Sequence, residues 1–324
     1  MPKMSPIKFA ALVAAAAISA SAMADEAFPT RPVKIVVPYA PGGLPDTVAR
    51  VISEQMQLDL KQPVIVDNKP GGGGSSAVTV LRQSPADGYT ILIADGPLLA
   101  VSPIIISNLT YDVNRDLDPV SLIGVAPLFL AANASVPFNN MKEFIDYARK
   151  NPGRLNYGSS GIGSIHHLTA EAMNHALGLK IGHVPYKGSS ASVPAMIGNQ
   201  VDITFASPPS LMGFVKNGRA KILATNTLQR SELEPDVPAI SEYAKGFNFG
   251  FTVVAMARKG TPENIRVRLS DSIRKAIADP ATKEKLVKAG VEAIAGGPKE
   301  LEKEFQAETK RVVQAAKLAD LKPN

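Results

Sequence analysis

The chain has no cysteine and no tryptophan, and only 6% of its 324 residues are aromatic. Without thiols there is no disulfide framework, no thiolate metal site and no lipid-modified cysteine, so a chain of this length must be held by its core alone. Charge of one sign is also scarce. The net charge is +6, and two of the 35 basic residues, Lys3 and Lys8, lie in the first 24, leaving 33 against 29 acidic, or +4. No dense Lys/Arg stripe with interleaved aromatics is present, which excludes a nucleic-acid groove. Catalytic templates are missing as well. A nucleophile elbow around Ser160 needs glycine at 162, where Ile162 stands. A dinucleotide fingerprint begun at Gly161 would put its third glycine at His166, and no glycine loop runs into G-K-[ST]. The four histidines are His166, His167, His175 and His183. The two adjacent ones cannot face the same way on a helix, so a structural or surface role is expected for them rather than a metal site.

What is present begins with a leader. Lys3 and Lys8 precede an apolar run from Phe9 to Ala20, and Ala22-Met23-Ala24 follows as an A-x-A cleavage site. The run is too short to span a bilayer. The mature chain is therefore expected to start at Asp25, after cleavage behind Ala24, in a bacterial periplasm.

The organising stretch is Val33-Lys34-Ile35-Val36-Val37 running into Pro38-Tyr39-Ala40-Pro41-Gly42-Gly43 and then Asp46. An apolar run bounded by Pro and Gly suits a buried parallel strand, and Asp46 reads as the cap of a helix carrying Val48, Val51, Ile52 and Met56. The loop then lies at a strand's carboxyl end facing a helix N-terminus, where unpaired N–H groups favour an anion. The same unit recurs: Pro63 to Asp67 with a glycine loop at 70–76; Tyr89 to Ala94 ending at Asp95; Leu155 to Tyr157 before Gly158 to Ser164; His183 to Gly188 before Ser189 and Ser190; and Gln200 to Ala206 before Ser207 and Pro208. Lys221 to Thr225 is a further strand, Phe249 to Met256 is a return strand, and the remainder reads as helices at 262–278, 280–289 and 298–317, each opening on Pro. The pattern predicts an α/β protein of two domains, each a mainly parallel sheet flanked by helices, with a cleft between them. Domain 1 would hold 25–125 and 249–324, with the helical tail packed back on it, and domain 2 would hold 126–248. One single sheet would have to be very wide.

Five motifs in order carry a resemblance: Pro38-Tyr39-Ala40-Pro41-Gly42-Gly43 with Asp46, Pro63 to Gly71, Pro85-Ala86-Asp87-Gly88-Tyr89-Thr90, Val184-Pro185-Tyr186-Lys187-Gly188 and Gln200-Val201-Asp202. Over essentially the whole mature chain the sequence resembles the Bug family, the periplasmic substrate-binding proteins of tripartite tricarboxylate transporters. The resemblance implies a type II, Venus-flytrap binding protein with no enzymatic activity and no cofactor. Its ligand would be a small organic carboxylate, its partners the large and small membrane subunits of the transporter, and its state monomeric. Carried over by position, Tyr39, Ala40, Gly42, Gly43, Leu44, Pro45 and Asp46 would form the first jaw, with Asp46 organising the loop. Ser159, Ser160, Gly163 and Ser164, with Tyr186, Lys187 and Gly188, would form the second jaw, and Asp202, Ser207 and Pro208 its floor.

Two departures from the family pattern stand out. Leu44-Pro45 replaces a small polar residue before Asp46, removing an N–H, and Asp95-Gly96-Pro97 stands where relatives carry small hydroxyl residues. An acid beside the pocket would repel a polycarboxylate. The expected ligand therefore has one carboxylate and a less polar, aromatic or amide-bearing remainder near Leu44, Pro45 and Asp95. Other classes are a ligand-presenting module for a two-component sensor, which would be structurally the same protein, and an exported hydrolase, which would need a nucleophile and base that no motif supplies.

Overall fold

A computed structural model describes residues 28–323, and the leader reading at 1–24 falls outside them. In chain order the first part comprises β1 (Val33–Val37), α1 (Leu44–Leu60), β2 (Val64–Asn68), α2 (Ser75–Gln83), β3 (Thr90–Asp95), α3 (Gly96–Ile105), α4 (Val113–Asp116) and β4 (Leu117–Ala126). The middle comprises β5 (Phe129–Asn133), α5 (Met141–Lys150), β6 (Asn156–Ser159), α6 (Ile165–Leu177), β7 (Gly182–Pro185), α7 (Ser189–Ile197), β8 (Ile203–Ala206), α8 (Pro208–Lys216) and β9 (Ala220–Thr225). The last part is β10 (Phe251–Arg258), α9 (Glu263–Ala278), α10 (Pro280–Lys288), β11 (Glu292–Gly296) and α11 (Pro298–Leu318).

The strands form two sheets, a six-stranded one ordered β11-β4-β10-β3-β1-β2 and a five-stranded one ordered β7-β6-β8-β5-β9. This is a two-domain α/β fold, but each sheet is mixed rather than mainly parallel. In the first, β1 pairs in parallel with β2 and β3, with Ile35 opposite Val66 and Ile91, while β10 runs antiparallel to β3 and β4. In the second, β6 is parallel to β7 and β8, whereas β5 is antiparallel to β8 and β9. The reason is topological: β5 and β10 are the strands that arrive from the other sheet, and each is inserted against the local direction. The inner strands β3 and β10 are buried on both faces, so they show continuous apolar runs without alternation.

Helix starts follow local chemistry. Helix α1 begins at Leu44, with Pro45 within its first two positions, so the missing proline N–H is one the helix would leave unpaired in any case. Asp46 is accordingly inside the first turn and not the cap. Asp95, Asn140, Ser164 and Asp279 do act as caps, each accepting from a backbone N–H of the first turn. The tail departs from expectation twice. It contains β11, which pairs with β4. Helix α11 also does not stay with the first sheet: Leu301 packs with Val36, Leu92 and Val254, whereas Val312, Ala315 and Ala316 belong to the core of the second sheet.

Candidate functional site

The site is assembled where helix N-termini from both lobes meet. On the first lobe, the chain leaves β1 through Pro38 to Gly43, and Gly42 adopts φ +89°, a conformation that favours glycine. That turn aims the Gly42 N–H at Asp46 Oδ2, 2.8 Å away. Asp46 is also held by Arg50 Nε at 3.1 Å and by Asn68 Nδ2 at 2.9 Å, and Asn68 reaches on to the Tyr39 carbonyl at 3.0 Å. Burial would raise the Asp46 carboxyl, but the hydrogen bonds from Arg50, Gly42 and Asn68 outweigh it and hold it below the usual carboxylate range. Asp46 is thus fully occupied in shaping the loop.

Beside that loop, Asp95 ends β3 and caps α3, accepting from Leu98 N–H at 2.8 Å and from the Tyr39 hydroxyl. Burial pushes the Asp95 carboxyl up, and the bonds from Tyr39 and Leu98 only partly offset it. Burial and the adjoining Asp95 charge likewise push the Tyr39 phenol well up.

On the second lobe, β6 runs into a loop locked by paired Ser–His contacts. Ser159 Oγ and His183 Nε2 are 2.7 Å apart, and Ser160 Oγ and His166 Nδ1 are 2.6 Å apart. Gly163 N–H donates to His167 Nδ1 at 3.1 Å, while Ser164 caps α6 and donates to Gly161 O at 2.7 Å. Below the loop His167 stacks on His183 at 4.0 Å between ring centres, and His183 on Tyr157 at 4.8 Å. Burial lowers His166 and His167 to about 4, so both are neutral at ordinary pH. The Ser160–His166 pair has the outline of a nucleophile and base. The depressed basicity of His166, and the absence among the described residues of a carboxylate bonded to it, leave it without the machinery of a hydrolase.

Between the lobes lies a cavity of about 530 Å³. Tyr39, Gly43, Leu44, Pro45 and Asp95 line it from the first lobe, and Ser160, Gly163 and Ser164 from the second. An adjoining cavity of about 440 Å³ takes in Gly42 and Ser207 and shares Gly43, Leu44, His166, Ser189 and Phe251 with the first. Other expected residues lie elsewhere. Ala40, within the first loop, is exposed and outside the lining of both cavities, Asp46 is buried against that loop, and Ser159 is fully buried on His183. Tyr186, exposed Lys187 and Gly188 are outside the lining of both cavities, because β7 ends at Pro185 and the chain reaches the site only at Ser189. Asp202 sits at the far end of β8 from Ser207, accepting from Asn156 N–H at 2.7 Å, so it anchors the remote edge of the sheet and not the floor of the site. Pro208 opens α8 and is buried beside Gly290.

Several lining residues escaped sequence reasoning. The wall formed by Pro97, Leu98, Val101, Ser102, Ile105 and Ile106 comes from α3, whose uniformly apolar GPLLAVSPII shows no helical period. Phe251 sits where β10 enters the first sheet, and only its place at the return crossing could have marked it. His166 could have been found from its position two residues after a serine cap. Among the described residues no group of three or more His, Asp or Glu is arranged to hold a metal ion.

Two α/β lobes facing one cavity through their helix N-termini define a two-domain periplasmic binding protein. Residues 48–319 match the family model described as the tripartite tricarboxylate transporter family receptor, TctC, and the chain belongs to that family. It is 36% identical over 293 residues to a UPF0065 protein of Bordetella pertussis strain Tohama I, covering 90% of each chain. It is 32% identical over 288 residues to Protein BugT of the same strain, covering 88% of each. Among solved structures it is similar to an R. palustris protein with adipate, at 30% identity and TM-score 0.77, covering 92% of this chain and 100% of that one. It is also similar to MatC from Rhodopseudomonas palustris with bound malate, at 28% identity and TM-score 0.71, covering 89% and 99%. The family and these neighbours are solute-binding proteins, and among the described residues no helix is long and apolar enough to cross a membrane.

Proposed function

We propose that this protein captures a small organic carboxylate in the interlobe cavity and hands it to the large and small membrane subunits of a tripartite tricarboxylate transporter. It would act as a monomer in the periplasm, after cleavage behind Ala24, without metal or cofactor. The observation that carries the reading is the convergence of helix N-termini. The first residues of α1 (Leu44, Pro45), α3 (Pro97, Leu98), α6 (Ile165, His166) and α7 (Ser189) all line one cavity that has no lysine or arginine in its wall. Leu98 N–H is taken by Asp95, and Pro45 and Pro97 have no N–H, so the anion-favouring ends are those of α6 and α7, whose first-turn N–H groups and positive dipole ends suit a carboxylate without a cationic side chain. Charge-assisted hydrogen bonds contribute roughly 1.5–3 kcal/mol each, so three or four approach the ~8 kcal/mol of a micromolar complex. The adipate and malate held by its structural neighbours support the same ligand class.

The moving bodies would be the two sheets with their helices, and the hinge would take in α11, which packs on both, as well as the two places where the chain crosses between the sheets. Calorimetry against aliphatic and aromatic carboxylates, with small-angle scattering of the free and saturated protein, tests both parts. Saturable binding with compaction is expected. A profile unchanged at saturation would overturn closure, and failure to bind any carboxylate would overturn the ligand class.

A further inference from the structure

We infer that Asp95 selects a ligand whose end remote from the carboxylate carries a nitrogen-borne hydrogen-bond donor, an ammonium or an amide N–H. The inference rests on the carboxylate reading above and adds the chemistry of the other end. Asp95 lines the cavity, yet among the described residues it enters no ion pair. One oxygen accepts from Leu98 N–H and the other from the Tyr39 hydroxyl. A carboxylate offers about four acceptor sites, so two such bonds leave capacity unused on a side chain that faces the cavity. Capping α3 does not require the charge, since serine or asparagine caps as well. The ionisable groups that interact with Asp95 are Tyr39, Tyr111 and Glu308, every one an acid. His166 lies across the cavity and is neutral. A carboxylate taken out of water without a cation or further donor is costly, and a ligand that carries a donor would offset that cost and hold Asp95 in its charged form.

The polar side chains of the lining fall into two groups, Ser160, Ser164, His166 and Ser189 at the starts of α6 and α7, and Tyr39, Asp95 and Ser102 around α3. At the α6 end, Ser160, Ser164 and His166 stand at a helix N-terminus, a setting for a carboxylate; at the α3 end stands Asp95, an acceptor. Leu44, Pro45, Ile105, Ile162 and Phe251 lie among the apolar lining. A ligand spanning the two ends would put its anion on α6 and its donor on Asp95. A second carboxylate placed there would meet a like charge and be disfavoured.

Two matched series decide the matter by calorimetry at pH 7.5: hexanoate, 6-aminohexanoate, adipic monoamide and adipate, and then benzoate, 4-(aminomethyl)benzoate, 4-carbamoylbenzoate and terephthalate. In at least one series the amino or amide member is expected to bind tenfold or more tighter than the unsubstituted parent, with the dicarboxylate weakest. Asp95→Asn keeps a capping side chain and should erase at least tenfold of the ammonium preference while admitting the dicarboxylate. Asp95→Ser provides the same comparison should the asparagine variant fold poorly, as judged by circular dichroism. A dicarboxylate binding tightest to the unaltered protein, or a ranking unchanged by either substitution, overturns the inference and leaves the carboxylate reading intact. Binding by no member of either series overturns the carboxylate reading itself.

Discussion

Asn226 is the residue that ties the two crossings between lobes. It is fully buried, and its Oδ1 accepts from Leu128 N–H at 2.8 Å while its Nδ2 donates to Phe249 O at 2.6 Å. Its backbone repeats both links, donating to Leu128 O at 3.0 Å and accepting from Phe249 N–H at 2.7 Å. Leu128 lies on the outgoing crossing, before β5, and Phe249 on the return, before β10, so one side chain holds the two hinge strands in register. Asn226→Ala would leave a buried donor and a buried acceptor unpaired, each costing about 1–3 kcal/mol. Urea unfolding should therefore show a loss of roughly 2–6 kcal/mol, and a loss below about 1 kcal/mol would mean that the backbone links suffice. Gly96 shows a different residue-scale constraint. Its backbone is not in the left-handed region, yet a Cβ there would collide with the Glu308 carboxylate and the Thr252 hydroxyl. The glycine is needed for close approach and not for a turn.

Among the elements, α11 changes the picture of how the lobes are joined. At 21 residues it is about 31 Å long, enough to pack Leu301 on the first sheet and Val312, Ala315 and Ala316 on the second. The helix is a third tie beyond the two crossings. Leu301→Ala and Val312→Ala should each cost roughly 1–4 kcal/mol by leaving a cavity, and in both variants unfolding should remain one transition, because the helix couples both cores. Two separate transitions, read by denaturation with far-ultraviolet circular dichroism, would contradict this coupling. The helix itself was legible in the sequence, as were α9 and α10, because each opens on Pro or directly after it and carries an amphipathic period. Its partner was not legible, since period reports which face is buried and not against what. The first-lobe loop and the Ser160 to Ser164 loop were legible because glycine, serine and proline punctuate them. The α3 wall was hidden by an unbroken apolar run, and β11 by being a five-residue half-buried strand with little alternation. Tyr186 to Gly188 look like a binding loop in sequence. In the structure Tyr186 N–H and Gly188 N–H donate to Ser159 O and Ser160 O, and the chain joins the cavity lining at Ser189.

At the scale of the whole molecule, buried ionisable groups set opposite limits on stability with pH. Histidines 166 and 167 are lowered to about 4 by burial, against an ordinary value near 6.5. As pH falls below 6.5 the unfolded chain takes up protons that the folded chain refuses until about 4, so stability falls through that window. Glu308 acts in the other direction. It lies fully within the fold, bonded to Thr252 N–H at 3.0 Å and to Thr252 Oγ at 2.6 Å. Burial raises its carboxyl to about 7, the Thr252 bonds and Arg311 pull it back only in part, and Asp95 pushes it further up. Arg311 is itself engaged with Glu304 at 2.7 Å, so it supplies little compensation. The folded chain therefore holds a proton on Glu308 that the unfolded chain has released above about 4.5, and this contribution to stability is lost as pH rises through 7. Glu308→Gln keeps an acceptor for Thr252 N–H and cannot ionise. Its stability relative to the unaltered protein should match at pH 5 and improve toward pH 8, by at most about 3 kcal/mol at 1.36 kcal/mol per unit. Urea unfolding at pH 5, 6.5 and 8 measures the difference; a gap that stays constant across the three would mean that Glu308 is already ionised in the folded protein at pH 5. Because Thr252 directly follows Phe251, where the return crossing enters the first sheet and lines the ligand cavity, the same titration with a saturating carboxylate shows whether the proton on Glu308 is felt at the hinge. Binding that weakens from pH 6 to 8 in the unaltered protein, and does not weaken in Glu308→Gln, is the expected result.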